Sequence, residues 1–279
     1  MATLLALISS VLWGITDFEG GRLSKKRAPI AVLGASQIIG LIFGLAIVIT
    51  TSSWHFKAFG NGGYFIPGAL AGLLGYVGLF CLYTGLSIGR MGVVAPISAL
   101  GAVIPLTYAL IKGDSLSLIT SIGVVLALTG AFCASGPEIS QGLPLKPILL
   151  AVCAAICFGT AMTFIAVGSQ TSALMTMVAM RFATLFVTIA IVIRFKSTGG
   201  FAKSELPSLI FIGVADFVAN LFLGIATTLG LVSIAMVLGS LYPIVTVMLA
   251  FKFLHERLHK IQYFGVALAI TGIALISAF

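Results

Sequence analysis

The sequence predicts an all-α integral membrane protein of ten transmembrane helices, arranged as two inverted five-helix repeats. Three observations predict it. Hydrophobic residues make up 60% of the 279-residue chain and charged residues 8%, where soluble domains hold roughly 45–50% and 25%. The apolar residues fall in ten runs, each near the ~20 residues a helix needs to cross the hydrocarbon core. The second half of the chain repeats the first in weak but ordered form.

The runs span 2–21, 29–50, 64–86, 92–111, 116–135, 147–168, 174–194, 207–229, 233–252 and 260–278. They are continuous, unlike the alternating ten-residue segments of a membrane β-barrel. Residues 2–20 lack a basic leader and a small-residue cleavage motif, so they read as a retained first helix. The 15 Lys and Arg against 7 Asp and Glu give a net charge of +8. Most of the bases cluster in short connections between runs, the pattern of cytoplasmic loops and not of nucleic-acid binding. Cys81, Cys133, Cys153 and Cys157 lie inside apolar runs without metal-ligand spacing and read as small helix residues.

Two units, 1–140 and 141–279, follow from the internal match. Trp13-Gly14 aligns with Phe158-Gly159, and Gln37 falls close to Arg181. Gly92, Leu100, Gly101 and Pro105 recur as Gly230, Leu238, Gly239 and Pro243. Asp114, Leu116, Gly123, Thr129 and Gly130 recur as Glu256, Leu258, Gly265, Thr271 and Gly272. A repeat with an odd number of spans inserts with opposite orientation in each half, the plan of many secondary transporters, whose substrate site lies near the midplane between repeats. Most of the 32 glycines, with spacings such as Gly40/Gly44, Gly68/Gly72 and Gly85/Gly89, read as helix-packing positions.

These residues carry a resemblance. Trp13-Gly14, Arg181 and the stretch from Leu241-Tyr242-Pro243 through His255-Glu256-Arg257-Leu258 to Gly265 and Gly272 are similar to the EamA-like branch of the drug/metabolite transporter superfamily. The first half keeps a degraded copy: Asp114 stands where the family has Glu, Gln37 replaces the usual Arg, and Asp17 falls where many members carry an amide. The resemblance covers nearly the whole chain. It implies a ten-helix carrier of a small-molecule metabolite, exporting amino acids or related compounds by alternating access from a multi-pass position in a bacterial inner membrane. Sugar uptake and flipping of a lipid-linked group remain alternatives within transport. No cofactor is implied, and the chain has no GxxxxGK[ST] phosphate loop. Nothing in the sequence marks an oligomer interface, and a monomer suffices.

A charge at mid-bilayer costs about 2.5–3.5 kcal/mol on insertion scales, so each one calls for a partner or a wet cavity. Asp216 lies in the eighth run with Asn220 one turn later on the same face. It reads either as a substrate or proton-coupling carboxylate or as the structural partner of Arg181. Arg181 reads as a carboxylate clamp or as a base snorkelling to the headgroups. Asp17 reads as interfacial, paired with Arg22, Lys25, Lys26 or Arg27, or as part of a site. Gln37 joins them through its match to Arg181. Among the aromatics Trp13, Tyr76, Tyr83, Tyr108 and Tyr242, Trp13 and Tyr83 are the cavity candidates. Pro105 and Pro243 read as paired kinks or hinges.

One enzyme motif is present. His255-Glu256-Arg257-Leu258-His259 matches the HExxH of zinc proteases. No third ligand is evident and the matched first-half segment has no histidine, so it reads as a charged loop, with no metal and no catalytic residues expected. Twelve Lys and Arg fall on one side of the expected topology and two on the other. The positive-inside rule therefore puts both termini outside, whereas the resemblance implies that both are cytoplasmic.

Overall fold

In hydrocarbon every backbone N–H and C=O must be satisfied within its own segment, so uninterrupted apolar runs become helices. The structure, a computed structural model, describes residues 1–89, 91–134, 145–197, 199–254 and 260–278. Its elements are α1 (Ala2–Ser24), α2 (Pro29–Thr51), α3 (Phe65–Ile88), α4 (Met91–Ala99), a 3-10 turn (Leu100–Ala102), α5 (Val103–Ile111), α6 (Leu118–Ala134), α7 (Leu145–Phe195), a second 3-10 turn (Lys203–Glu205), α8 (Leu206–Leu229), α9 (Val232–Gly239), α10 (Tyr242–Leu254) and α11 (Lys260–Ala278). No strand occurs among the described residues. Seven helical stretches are long and apolar enough to cross a membrane, and 118–134 and 260–276 form shorter apolar helices. Large apolar side chains such as Ile42, Val125, Phe186 and Ile270 face outward, while Gln37, Arg181, Asp216 and Asn220 are buried. That distribution suits a lipid solvent.

Two of the expected spans run together. Instead of separate helices at 147–168 and 174–194, α7 extends over 51 residues with only Ser172 outside the helical region, at φ −162° and ψ 111°. A straight helix of that length would reach roughly 77 Å at 1.5 Å per residue. The chain instead folds back, because a Cβ on Gly168 would lie 2.7 Å from Thr176 Oγ1. Ser172 makes the corner: its Oγ accepts the Met175 N–H at 3.3 Å, an N-cap for the second half of α7.

The expected spans 92–111 and 233–252 are each interrupted. The first breaks at Leu100–Ala102, before α5, and the second at Ser240–Leu241, before α10. Pro105 is the third residue of α5 and Pro243 the second of α10. Each proline stands just after an interruption, where its missing N–H withdraws the helical bond to the residue four back, Gly101 or Gly239, and the backbone at Ala102, Val103 and Ser240 stays in the right-handed helical region.

The repeat is sharper in the structure than in the sequence. One shift of 141 residues carries Phe65–Ile88 onto Leu206–Leu229 at both ends. Another of 144 carries Pro29–Thr51 onto 173–195, and Gln37 onto Arg181. α3 ends at Gly89 and α8 at Gly230, both extended, so the partner of Gly230 is Gly89 and not the expected Gly92. Matched residues also contact one another reciprocally. A Cβ on Gly123 of α6 would lie 3.0 Å from the Gly272 carbonyl of α11, and one on Gly130 would lie 2.8 Å from the Gly265 carbonyl. Gly123 matches Gly265 and Gly130 matches Gly272, so α6 and α11 pack antiparallel in the isologous pattern of a two-fold relation. Gly72 meets the backbone of Met180, and its match Gly213 meets that of Ser36, whose carbonyl would lie 2.6 Å from a Cβ there.

The two ends of the bundle are fastened differently. Between α1 and α2, Arg27 Nε donates to both carboxylate oxygens of Glu205 at 3.0 Å, and its Nη2 lies 2.9 Å from Oε2. At the far end of α2, the Thr171 hydroxyl donates to the Gly62 carbonyl. The shift that carries Gln37 onto Arg181 also carries Arg27 onto Thr171. Asp114 has a structural task as well, since its Oδ2 accepts the Ser233 N–H at 2.9 Å and the Ser233 hydroxyl at 2.8 Å in the first turn of α9.

Candidate functional site

Midway along the bundle the two repeats line a partly open cavity of about 580 Å³, its solvent-open mouth included. Its wall is built from matched positions: Trp13 with Phe158, Asp17 with Met162, Gln37 with Arg181, Gly75 with Asp216, and Leu79 with Asn220 all line it. Helix spacing explains the grouping, because residues four apart stack on one face. Trp13 and Asp17, Gly75 and Leu79, Phe158 and Met162, and Asp216 and Asn220 are four such pairs.

The polar side is centred on Arg181, which is 3% exposed. Its Nη2 donates to Asp216 Oδ2 at 2.6 Å and its Nη1 to Gln37 Oε1 at 2.9 Å. The guanidinium also lies 6.0 Å from the Phe217 ring centroid. Asn220 Nδ2 completes the network, donating to the Asp216 carbonyl at 2.7 Å and to Oδ1 at 3.2 Å. Two buried charges are taken from water here, and their attraction offsets that only with added hydrogen bonds such as these. The bond between Gln37 and Arg181 joins matched positions, which places it beside the two-fold relation between repeats.

The apolar side is closed by an aromatic corner. Gly14 lets α10 approach α1, since a Cβ there would lie 2.7 Å from the Tyr242 carbonyl and 2.5 Å from Val245 Cβ. Thr246 Oγ1 donates to the Gly14 carbonyl at 3.1 Å. Trp13 and Tyr242 meet edge to face at 6.3 Å and 80°. The Tyr242 hydroxyl bonds Ser98 Oγ at 2.7 Å, and Ser98 spends its single proton on the Ala95 carbonyl. Tyr242 is therefore the donor.

Six of the residues singled out in the sequence come together on this wall: Trp13, Asp17, Gln37, Arg181, Asp216 and Asn220. Tyr83 does not. It is 2% exposed, packed among Leu33, Leu82, Leu86 and Val94, with its ring against Gly20. Pro105 and Pro243 also lie off the wall. Arg181 does not snorkel, because Asp216 and Gln37 hold it inside the bundle. Asp17 is not paired at the interface either: Arg22 bonds Glu19 and Arg27 bonds Glu205. Among the described residues Asp17 makes no hydrogen bond or ion pair, yet it is only 5% exposed. Phe158, Met162 and Tyr242 are wall residues that their sequence does not single out as such, although the Trp13/Phe158 match is a usable signal for the first. The motif His255-Glu256-Arg257-Leu258-His259 lies outside the described residues.

Comparison with known proteins agrees with this architecture. A solved crystal structure superposes with a TM-score of 0.78 at 16% identity, covering 98% of this chain and 94% of that one, which speaks to fold alone. No curated protein matches the chain. The model of the EamA-like transporter family matches twice, over residues 1–136 and 145–278, once for each repeat. With both halves of the chain matched in this way, the protein belongs to the EamA-like transporter family, multi-pass membrane carriers and not enzymes.

Proposed function

We propose that the chain is a ten-span secondary transporter that carries a small organic metabolite through the central cavity by alternating access. The count of ten takes α7 as two spans meeting at Ser172, and joins α4 to α5 and α9 to α10 across their breaks. The observation that carries the reading is the cavity wall, built at mid-span from matched positions of both repeats. Rocking one repeat against the other about such a wall exposes it to each side in turn. Export of amino acids or related compounds, from a bacterial inner membrane, is the direction and class that the family resemblance supports. A hydroxyl-rich sugar is a poorer match to a wall in which Leu79, Phe158, Met162, Ile165 and Met180 leave few hydrogen-bonding groups. Asp216 is committed to Arg181 and Asn220, which favours the structural reading of that carboxylate over proton coupling.

The test is counterflow of a labelled metabolite panel in proteoliposomes, comparing wild type with Gly75→Leu. Nothing lies within 4 Å of a Cβ at Gly75, so the larger side chain starts in open space and projects into the cavity. Saturable exchange by wild type, reduced at least tenfold in the variant, is expected. Exchange that survives Gly75→Leu would remove the cavity from the transport path.

A further inference from the structure

We infer that the cavity takes an organic monocation, an amine with an apolar or aromatic body, and that Asp17 is its counter-ion. The inference rests on the reading of the cavity as the transport site and assigns it an amine in place of the amino-acid class that the resemblance supports. Three acidic or basic side chains reach the wall: Asp17, Arg181 and Asp216. Arg181 and Asp216 neutralise one another at 2.6 Å, and Gln37 and Asn220 take up further valences of that pair. Asp17 is the acid left without a counter-charge. It is 5% exposed and has no protein partner among the described residues, and it faces the empty volume.

A lone carboxylate at this depth is costly unless it holds a proton or a cation enters to pair with it. An ammonium ion does so directly and leaves the site electrically neutral. A carboxylic acid would meet net negative charge. A zwitterion would bring a second charge to an arginine whose positive charge is already balanced. The surroundings of Asp17 fit the rest of such a ligand. Trp13 lies one turn before it on the same face of α1, Tyr242 stands edge-on to Trp13, and Phe158 and Met162 oppose them from α7. Aromatic faces attract a cation and its apolar body alike. The matched position in the second repeat is Met162, so this recognition belongs to one side of the cavity only. The aspartate also replaces the amide that the family resemblance leads one to expect, so the property belongs to this chain and does not follow from the family pattern.

The test is equilibrium binding to purified protein in detergent at pH 7, with three labelled probes of one shape: phenethylamine, phenylalanine and 3-phenylpropionate. Phenethylamine is expected to bind at least tenfold tighter than phenylalanine, and 3-phenylpropionate to show no saturable binding. Asp17→Asn lowers amine affinity at least tenfold, Asp17→Glu restores most of it, and Gly75→Leu abolishes it. Equal or tighter binding of the acid or the zwitterion, no binding of any probe, or an Asp17→Asn protein that binds the amine normally overturns the inference. If Gly75→Leu blocks counterflow while Asp17→Asn leaves amine binding unchanged, the cavity stands as the transport site and only the cation assignment falls. If amine binding survives Gly75→Leu, the amine sits elsewhere and the assignment falls as well.

Discussion

At the cavity the second repeat contributes Arg181, Asp216 and Asn220 where the first contributes Gln37, Gly75 and Leu79. The backbones carrying these side chains correspond to the residue, since α3 and α8 begin and end one shift apart. A duplicated backbone therefore does not oblige its two copies to share chemistry. Small residues are kept where backbones touch, at Gly72 and Gly213, and diverge where the wall is empty, at Gly75 and Asp216. The pairing of Gln37 with Arg181 shows how one copy can serve the other.

The largest effect that would break this contrast comes from the ion pair. Asp216→Ala leaves the Arg181 charge buried and is expected to cost about 3–5 kcal/mol, read as a drop in thermal unfolding in detergent. Arg181→Gln combined with Asp216→Asn removes both charges and recovers at least half of that loss. A double variant no more stable than the single one would show that the pair is not the source.

Next come the contact glycines. Gly72→Leu and Gly213→Leu are each expected to destabilise by about 1–3 kcal/mol through overpacking, by similar amounts because they face matched backbone. At Gly75, where the copies diverge, Gly75→Ala stabilises by roughly 0.5–1 kcal/mol. Unequal losses at the first two positions would argue against a shared helix contact.

A smaller effect is expected for Asn220→Leu, which copies Leu79 of the first repeat. It removes one donor to the Asp216 carboxylate, and hydrogen bonds within membrane bundles average about 0.6 kcal/mol. A fall of less than about 2 kcal/mol in detergent unfolding is the expected result.

The smallest concerns the two ends. Arg27 beside Glu205 holds that carboxyl below the usual glutamate range, helped by the Ala202 N–H. A lowered carboxylate contributes stability that is present above its ordinary range and is lost as pH falls through the lowered value. Wild type and Glu205→Gln should therefore differ slightly at neutral pH and converge in acid. Thr171→Val, at the neutral fastening, should give an offset that does not change with pH. A pH-independent effect of Glu205→Gln would assign that residue to packing alone.

Much of the fold is legible in the sequence because lipid enforces a simple rule, that a long apolar run is a helix. The break at Ser172 is not, since a serine between two apolar runs reads as an ordinary loop residue until its N-cap bond to Met175 is seen. Pro105 and Pro243 mark in the sequence the interruptions that lie just before them, because a proline withdraws one helical bond wherever its helix runs on. At the cavity, Arg181, Asp216 and Asn220 announce themselves by polarity in apolar surroundings. Tyr83 has the same signal and proves to be core, because a hydroxyl alone does not say which way a ring points. Gly75 gives no signal at all: its contribution is an absent side chain.

The corner at Ser172 carries a mechanical consequence. A single residue outside the helical region has two soft torsions, so the segment bearing Phe158 and the segment bearing Arg181 are joined without slack. The corner therefore fixes the point where the two arms meet, while the angle between them is set by those torsions and by the packing around the arms. An insertion of flexible residues after Ser172 would free the arms from that common pivot.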